Sequence, residues 1–374
     1  MTIAFNMSGF SAQPGLHAFA EACLLWGVQQ HPEISFIWIS RTPVAHPHSF
    51  GNLSYQSLPM SSANRLLWKY WQDITLPAYL KKARADMLVQ AEGLLSGRTD
   101  IPQWVMAPTP SETVPQNGFK PGYCRSFQNQ LLKQYGTLAQ GVFCLSTIAA
   151  KEITQYMGQP NVPVIPLLPV ATPVEPTTES MKIATRDRLT EGWDYFLYYG
   201  PLHHQSELVN LLKGFSLFKK WQRSSLKLVL LASEPTQDTA FLSSLQSYKY
   251  RSDVVVLEEP GPALFQEVVS AAYAAFLPYS YIPNYEPVLQ MMQAGIPLVT
   301  AASPAISDLF DDAVAMVRPN LPEDLSEKMI RLYKNETDRS ELLQKGMERS
   351  ANFTVEKQAR QFWDVLLNAT PAKA

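Results

Sequence analysis

Apolar runs of strand length alternate along the chain with stretches whose apolar positions recur every three to four residues, the pattern of βαβ units in a mainly parallel sheet. The first run is Ile3 to Asn6. The loop MSGFSAQPG leads from it into a helix that carries Leu16, Phe19, Ala20, Cys23, Leu24 and Val28 on one face. Strands are expected next at Ser35 to Ile39, near Leu53 to Gln56, and at Asp86 to Gln90, Trp104 to Ala107, Val142 to Leu145 and Val162 to Pro166. Helices fill the gaps, notably Ser62 to Lys82 and Arg125 to Leu138.

Between Leu167 and Thr178 the text becomes LLPVATPVEPTT, whose prolines fix an extended path and keep it out of a sheet interior; this is the expected linker. A second βα series follows, with strands at Tyr195 to Gly200, Leu226 to Ala232, Val254 to Leu257, Ala274 to Leu277, Ile296 to Thr300 and Ala313 to Val317. A last helix opens with Thr354 as N-cap and runs from Val355 to about Asn368. The pattern predicts two α/β domains around one cleft, residues 1–172 and 173–354, followed by a tail of residues 355–374.

The stretch FLPYSYIPNYEPVLQMMQAGIPLVT, from Phe276 to Thr300, has the most explicit punctuation. It reads as a buried strand, a loop from Pro278, a short helix with Pro287 at its first position and Gly295 just past its end, then a second buried strand. Such a helix places its unpaired N–H groups at the carboxyl edge of a strand, where open α/β sheets bind phosphorylated ligands.

With 374 residues, 46% of them hydrophobic and 17% charged, the chain has ample material for two cores. A net charge of −2 argues against nucleic acid as a partner. Cys23, Cys124 and Cys144 are far apart, sit in apolar patterns and lack metal-ligand spacing, so they read as buried free thiols in a reducing compartment. The beginning MTIAFNMSGF has no basic region or cleavable apolar run, and no apolar stretch is long enough to span a bilayer. The protein is therefore expected in the cytoplasm, and the sequons at Asn6, Asn52, Asn335 and Asn352 are expected to be chance matches. The run RLLWKYW, with Lys81, Lys82 and Arg84 after it, fits helix packing and, alternatively, peripheral contact with the inner face of a membrane.

The text FLYYGPLHHQSELVNLLKGF, then LKLVLLAS, LPYSYIPNYEPVLQMMQAGIPLVT, SDLFDDAVAMV and NFTVEKQARQFWDVL, in this order and spacing, resembles a family-4 (group 1) glycosyltransferase of the GT-B fold. Upstream, DMLVQ, GVFCLSTIAAKEI and VIPLLPV resemble strands and a helix that the family places before the linker, so the likeness covers nearly the whole chain. The resemblance implies two Rossmann-like domains facing a cleft. An acceptor would lie on the N-terminal one, a nucleotide-sugar donor on the C-terminal one, and the final helix would return to the N-terminal domain through Phe362, Trp363 and Leu366. It implies retaining transfer to a saccharide or lipid-linked acceptor, as in polysaccharide biosynthesis, with no metal or other cofactor.

In that family an arginine and a lysine after the first strand of the second domain, a glycine turn, and two glutamates separated by seven residues hold the donor. Here the glutamates align with Ile282 and Gln290, the cations with Gln205 and Ser206, or with Pro201 in the variant where the arginine follows the glycine directly, and the turn with Pro283, Asn284, Tyr285 and Glu286. The family's His-Asp pair aligns with Ala107 and Pro108. Isoleucine cannot accept a hydrogen bond from a sugar hydroxyl, whereas glutamine can bond a ribose diol without charge.

Candidate donor-binding residues are therefore Gly200, His203, His204, Ser206, Tyr285, Glu286, Pro287 and Gln290, with Ser8, Gly9 and Phe10 in an acceptor or phosphate loop; no catalytic residue is assigned. His203 and His204 could stand in for the missing cations or be merely solvated. Ser206 reads first as the N-cap of a helix from Glu207 to Trp221. Glu286, four residues before Gln290, either takes over the displaced sugar contact or is a first-turn acid that complements the helix dipole. Two functions follow: a glycosyltransferase with an altered donor site, or a non-catalytic GT-B protein that binds a nucleotide, a glycan or a partner transferase.

Overall fold

A computed structural model describes residues 1–8, 14–45, 47–60, 65–91, 93–109, 129–158, 161–202, 207–236, 238–258, 260–279 and 285–369. The chain divides into two compact units, residues 1–170 with 354–374, and residues 171–353.

The first unit is built on seven parallel strands: β1 (Thr2–Asn6), β2 (Ser35–Ser40), β3 (Leu53–Ser57), β4 (Met87–Gln90), β5 (Gln103–Met106), β6 (Ala139–Cys144) and β7 (Val164–Pro166). Their order is β3-β2-β1-β4-β5-β6-β7. Side chains alternate across a strand, and both faces are covered here, which is why the strands read as unbroken apolar runs. Ile3 and Phe5 of β1 join one core with Met87 and Val89 of β4, whereas Ala4 and Leu88 join the other.

The first core is covered by α1 (Pro14–Gln30). The second is covered by α2 (Arg65–Tyr70), one π-helical turn (Trp71–Thr75), α3 (Leu76–Ala83), α4 (residues 129–135) and α5 (Thr147–Met157). Core packing and outward exposure divide the RLLWKYW run between them. Trp68 and Trp71 are buried, while Leu66, Leu67 and Tyr70 are 78%, 48% and 60% exposed.

The second unit repeats the plan with α6 (Glu179–Thr190), β8 (Tyr195–Gly200), α7 (Leu208–Gln222), β9 (Lys227–Ala232), α8 (Thr239–Gln246), β10 (Val254–Leu257), α9 (Pro262–Ser270), β11 (Ala274–Leu277), α10 (Glu286–Gln293), β12 (Leu298–Ala301), α11 (Pro304–Phe310), β13 (Ala315–Val317), α12 (Pro322–Lys334) and α13 (Glu336–Ser350). Its parallel sheet has the order β10-β9-β8-β11-β12-β13. Phe196 and Tyr198 of β8 face a core formed with Leu211 and Phe215 of α7 and with Leu325 and Met329 of α12.

The chain then returns to the first unit as α14 (Val355–Asn368), capped by the Thr354 side chain, which accepts from the Lys357 N–H. Its Phe362, Trp363 and Leu366 lie in the core of β1 and α1. The Trp363 indole N–H donates to the Cys23 carbonyl of α1 at 2.8 Å. Gly27, one turn further along α1, leaves room for that ring: a Cβ there would stand 2.2 Å from Trp363 Cζ2.

Two expected boundaries are corrected. Glu286, not Pro287, is the first residue of α10, so the proline sits at the second position. Proline is tolerated there because the second helical N–H also lacks an intrahelical partner. The capping position of α7 falls on Glu207, whose side chain makes no capping bond, whereas Ser206 lies outside the described residues. The end of α10 agrees with the sequence: Gly295 has φ +70° and its N–H donates to the Met292 carbonyl at 3.1 Å.

Cys23 and Cys144 are buried free thiols, and Cys124 lies outside the described residues. Burial pushes the Cys144 thiol up to about 12 and that of Cys23 well above its ordinary value. Two sequon asparagines have structural work: Asn52 Nδ2 donates to the carbonyls of Val28, His31 and Ile34, and the Asn335 side chain caps α13. Among the described residues no helix is long and apolar enough to cross a membrane.

Candidate functional site

In an open parallel sheet the strand order reverses between the first strand and its later neighbour, and the connections leave that point on opposite faces, opening a crevice at the carboxyl ends. In the second unit this point lies between β8 and β11, paired at Ala274–Phe196 and Ala275–Leu197. Gly200 ends β8, and the chain after β11 passes through Pro278 and Tyr279 before α10 begins.

The edge is lined by tyrosines. The Tyr279 ring lies against Gly200 so closely that a Cβ there would be 2.6 Å from the phenol oxygen and 2.8 Å from Cε1. Only glycine fits under that ring. Tyr198 packs edge-on against Tyr279 with centroids 5.8 Å apart, and its hydroxyl donates to the Pro201 carbonyl at 2.8 Å. Tyr199 packs against Phe265 with centroids 4.9 Å apart.

Desolvation raises the Tyr199 phenol, with the nearby negative charge of Glu286 adding to it, and raises that of Tyr279 further, with Tyr198 and Tyr199 contributing. Both therefore stay protonated at neutral pH and able to donate.

Glu286 and Gln290 occupy neighbouring positions on one face of α10, as their spacing requires. Gln290 Nε2 lies 3.4 Å from Glu286 Oε1. Both turn to the backbone of Thr172: the Thr172 N–H donates to Glu286 Oε1 at 3.1 Å, and Gln290 Nε2 donates to the Thr172 carbonyl at 3.4 Å. Tyr285 is buried against Phe310, with centroids 6.1 Å apart. Pro287 contributes no N–H to the start of this helix. Thr300, at the carboxyl end of β12, has a buried hydroxyl without a hydrogen-bond partner among the described residues.

Thus Gly200, Tyr285, Glu286, Pro287 and Gln290 belong to this edge, while His203, His204, Ser206 and Ile282 lie outside the described residues. Tyr199, Tyr279 and Thr172 were missed. The doublet Tyr198-Tyr199 before Gly200 was the available signal, since two phenols at a strand end are unusual for a fully buried run.

The first unit has its own reversal point, between β1 and β4, and polar side chains meet there. Asn6 and Gln90 are register partners, and Asn6 Nδ2 donates to Gln90 Oε1 at 2.7 Å. Ser8 is buried, with its N–H donating to Asn6 Oδ1 at 3.1 Å and its hydroxyl to the Ile39 carbonyl at 3.4 Å. Gln90 Nε2 is buried without a hydrogen-bond partner among the described residues. Gly9 and Phe10 lie outside the described residues.

Among the described residues no three His, Cys, Asp or Glu side chains converge in a metal-holding group.

No curated protein matches the sequence. Among solved structures, sucrose-phosphate synthase from Thermosynechococcus elongatus is similar at 14% identity, over 99% of this chain and 100% of that one, with a TM-score of 0.75. WaaG, a glycosyltransferase involved in lipopolysaccharide biosynthesis, is similar at 14% identity over 97% and 99%, with a TM-score of 0.72. Anabaena HepE in complex with UDP and glucose is similar at 12% identity over 98% and 100%, with a TM-score of 0.70. At these identities the likeness is one of fold, the GT-B fold of two Rossmann-like units. The family model described as Glycosyl transferases group 1 matches residues 182–349, which contain β8, α10 and the tyrosine-lined edge. That segment of the second unit is thus similar to the group 1 glycosyl transferases.

Proposed function

We propose that this protein moves a hexose-like unit from a nucleoside-diphosphate sugar to a saccharide or lipid-linked acceptor, with retention at the anomeric carbon and without a metal ion, in polysaccharide biosynthesis. The observation that carries the reading is the position of Gly200, the tyrosines and the opening turn of α10 at one reversal point inside the family-matched segment. Negative charge grows on the leaving diphosphate, and donors fixed before the reaction stabilise it without reorganisation. The protonated phenols of Tyr199 and Tyr279 are donors of that kind, joined by the amides at the start of α10 and by His203 and His204. HepE holds UDP, so uridine is the first base to test. Gln290 bonds the ribose diol in this reading.

The acceptor belongs at the reversal point of the first unit, beside Ser8, Gly9, Phe10 and the unpaired Gln90 amide. The outward Leu66, Leu67 and Tyr70, followed by the exposed Lys81 and Lys82, suit a lipid-linked acceptor at the inner face of a membrane.

A second reading, a non-catalytic GT-B protein, is favoured by the engagement of Glu286 and Gln290 with Thr172, which occupies the polar groups a donor sugar would use.

Thermal shift with UDP, followed by transfer and hydrolysis assays over a panel of nucleotide sugars with and without EDTA, tests the proposal. Binding raises the melting point by mass action. Imidazole with its ordinary pKa of about 6.5 gains charge as pH falls from about 8 to about 6, so donor affinity rises over that window and the slope disappears in the His203→Ala/His204→Ala double variant. UDP binding with a flat profile, and no transfer or hydrolysis from any donor in the panel, leaves the non-catalytic reading standing.

A further inference from the structure

The edge of the second sheet opposite the tyrosines also carries a pocket. Gly200 and Tyr199 mark the carboxyl end of β8, whereas this cavity of about 570 Å³ is lined by Trp193 before β8, Lys227 at the start of β9, Asp253 before β10 and the last turn of α7. A strand of this length separates the two places by about 17 Å, so they are different sites.

The floor of the pocket is a fixed charge triad. Asp253 Oδ2 lies 3.0 Å from Lys219 Nζ, and Oδ1 lies 3.2 Å from Lys227 Nζ. Lys219 is buried and also donates to the carbonyls of Ser224 and Leu226, so its ammonium is held in place, and one carboxylate faces two cations. Lys220 and Arg223 stand at the rim, both exposed and without an ion-pair partner among the described residues. Asp194, the next carboxylate, lies 3.8 Å from Arg186.

Cations at the end of a helix complement its dipole, which accounts for one or two of them. It does not account for the aromatic wall. Trp193 is 48% exposed beside these charges, and Tyr250 lines the same cavity with its ring flanked by Tyr248 and Lys249. A half-exposed indole offers a flat apolar face, the surface on which the C–H face of a pyranose stacks, while ammonium and guanidinium groups bind carboxylate or phosphate oxygens.

We infer that this pocket is a binding site for an acidic saccharide, distinct from the donor edge, with Trp193 and Tyr250 against the sugar face and Lys220 and Arg223 on its acid group. It stands independently of the proposed transfer. On a transferase it retains an acidic glycan chain without placing it in the reaction.

The test is calorimetric titration of the full chain at low salt with tetragalacturonate, with its methyl ester, which keeps the sugars and removes the charge, and with inorganic phosphate. The free acid is expected to bind at least tenfold more tightly than either comparison ligand. Trp193→Ala and the double change Lys220→Glu/Arg223→Glu should each weaken it at least fivefold, with melting points and UDP affinity unchanged. All three changes are at exposed positions, so loss of folding is a separate and visible result in the melting curve, and Lys220→Gln serves in place of a charge reversal that does not fold. Absence of tetragalacturonate binding overturns the inference. Equal binding of the methyl ester, or binding that phosphate matches and Trp193→Ala leaves intact, also overturns it, because the pocket then takes neutral sugars or bare anions. Failure to bind UDP with tetragalacturonate binding intact counts against the proposed transfer alone.

Discussion

Glu286 accepts the backbone N–H of Thr172 at 3.1 Å, and that bond fastens the first turn of α10 to the proline-rich segment that opens the second unit. Gln290 completes the clasp from the next turn. A donor ribose would compete with Thr172 for the same glutamine.

If Gln290 binds the diol, Gln290→Ala weakens UDP binding by about 1–3 kcal/mol, the scale of hydrogen bonds lost in a desolvated site. Titration of both proteins with UDP measures this. Unchanged affinity together with a lowered melting point would assign Gln290 to the linker alone.

The contact of Gly27 with Trp363 admits no side chain at position 27, since the nearest ring atom is 2.2 Å from the would-be Cβ. Gly27→Ala is expected to destabilise the first unit by about 1–3 kcal/mol through overpacking. Trp363→Ala, which empties the space instead, should cost about 3–5 kcal/mol. Urea unfolding of the variants reads both. A Gly27→Ala protein with wild-type stability would mean that α14 shifts freely along α1.

Arg318 and Asp324 tie the end of β13 to α12 through a two-pronged pair, Nε to Oδ2 at 2.8 Å and Nη2 to Oδ1 at 2.7 Å. The arginine holds the Asp324 carboxyl down to about 2. A folded-state pKa below the unfolded value of about 3.9 means that the pair stabilises the fold above that value and stops doing so as pH falls through about 2. The melting-point gap between wild type and Asp324→Asn should therefore be open at pH 6 and narrow between pH 4 and pH 3. Both residues lie at the surface, where solvent screens the pair, so the gap is small even at pH 6. A gap that widens on acidification would contradict this sign.

The outward apolar face of α2 predicts sedimentation with anionic vesicles, retained at low salt and reduced in a Leu66→Ser/Tyr70→Ser variant whose UDP affinity is unchanged. Equal sedimentation of the variant, or none by the wild type, would remove the lipid surface from the proposal.

Most strands were legible to within a residue or three because each is buried on both faces, and a run such as YFLYYG has no other stable home. The final helix was legible from Thr354 and from the spacing of Phe362, Trp363 and Leu366, whose buried stripe has the helical period. The π-helical turn at Trp71–Thr75 was not, because one inserted residue hardly disturbs an aromatic pattern that already tolerates two registers. The clasp on Thr172 joins positions more than a hundred residues apart, and no local pattern marks it. The acidic-saccharide pocket escaped for the same reason: Trp193, Arg223 and Tyr250 come from three different connections, each an ordinary surface loop when read alone. At the β8–β11 edge, the order and spacing of the motifs showed which family residues are replaced, but not that tyrosines gather there.

The return of α14 also sets an order on the growth of the chain. The second unit is one continuous segment, residues 171–353, and all of its strands have been synthesised before the ribosome reaches Thr354. The first unit begins earlier and finishes later, since the hydrophobic face of α1 and β1 waits for Phe362, Trp363 and Leu366. During synthesis the earliest sheet stays open on one side until α14 has been made. A ribosome stalled just after Phe353 would carry a second unit with all its residues and a first unit with an uncovered core, the state in which a nascent chain most needs a chaperone.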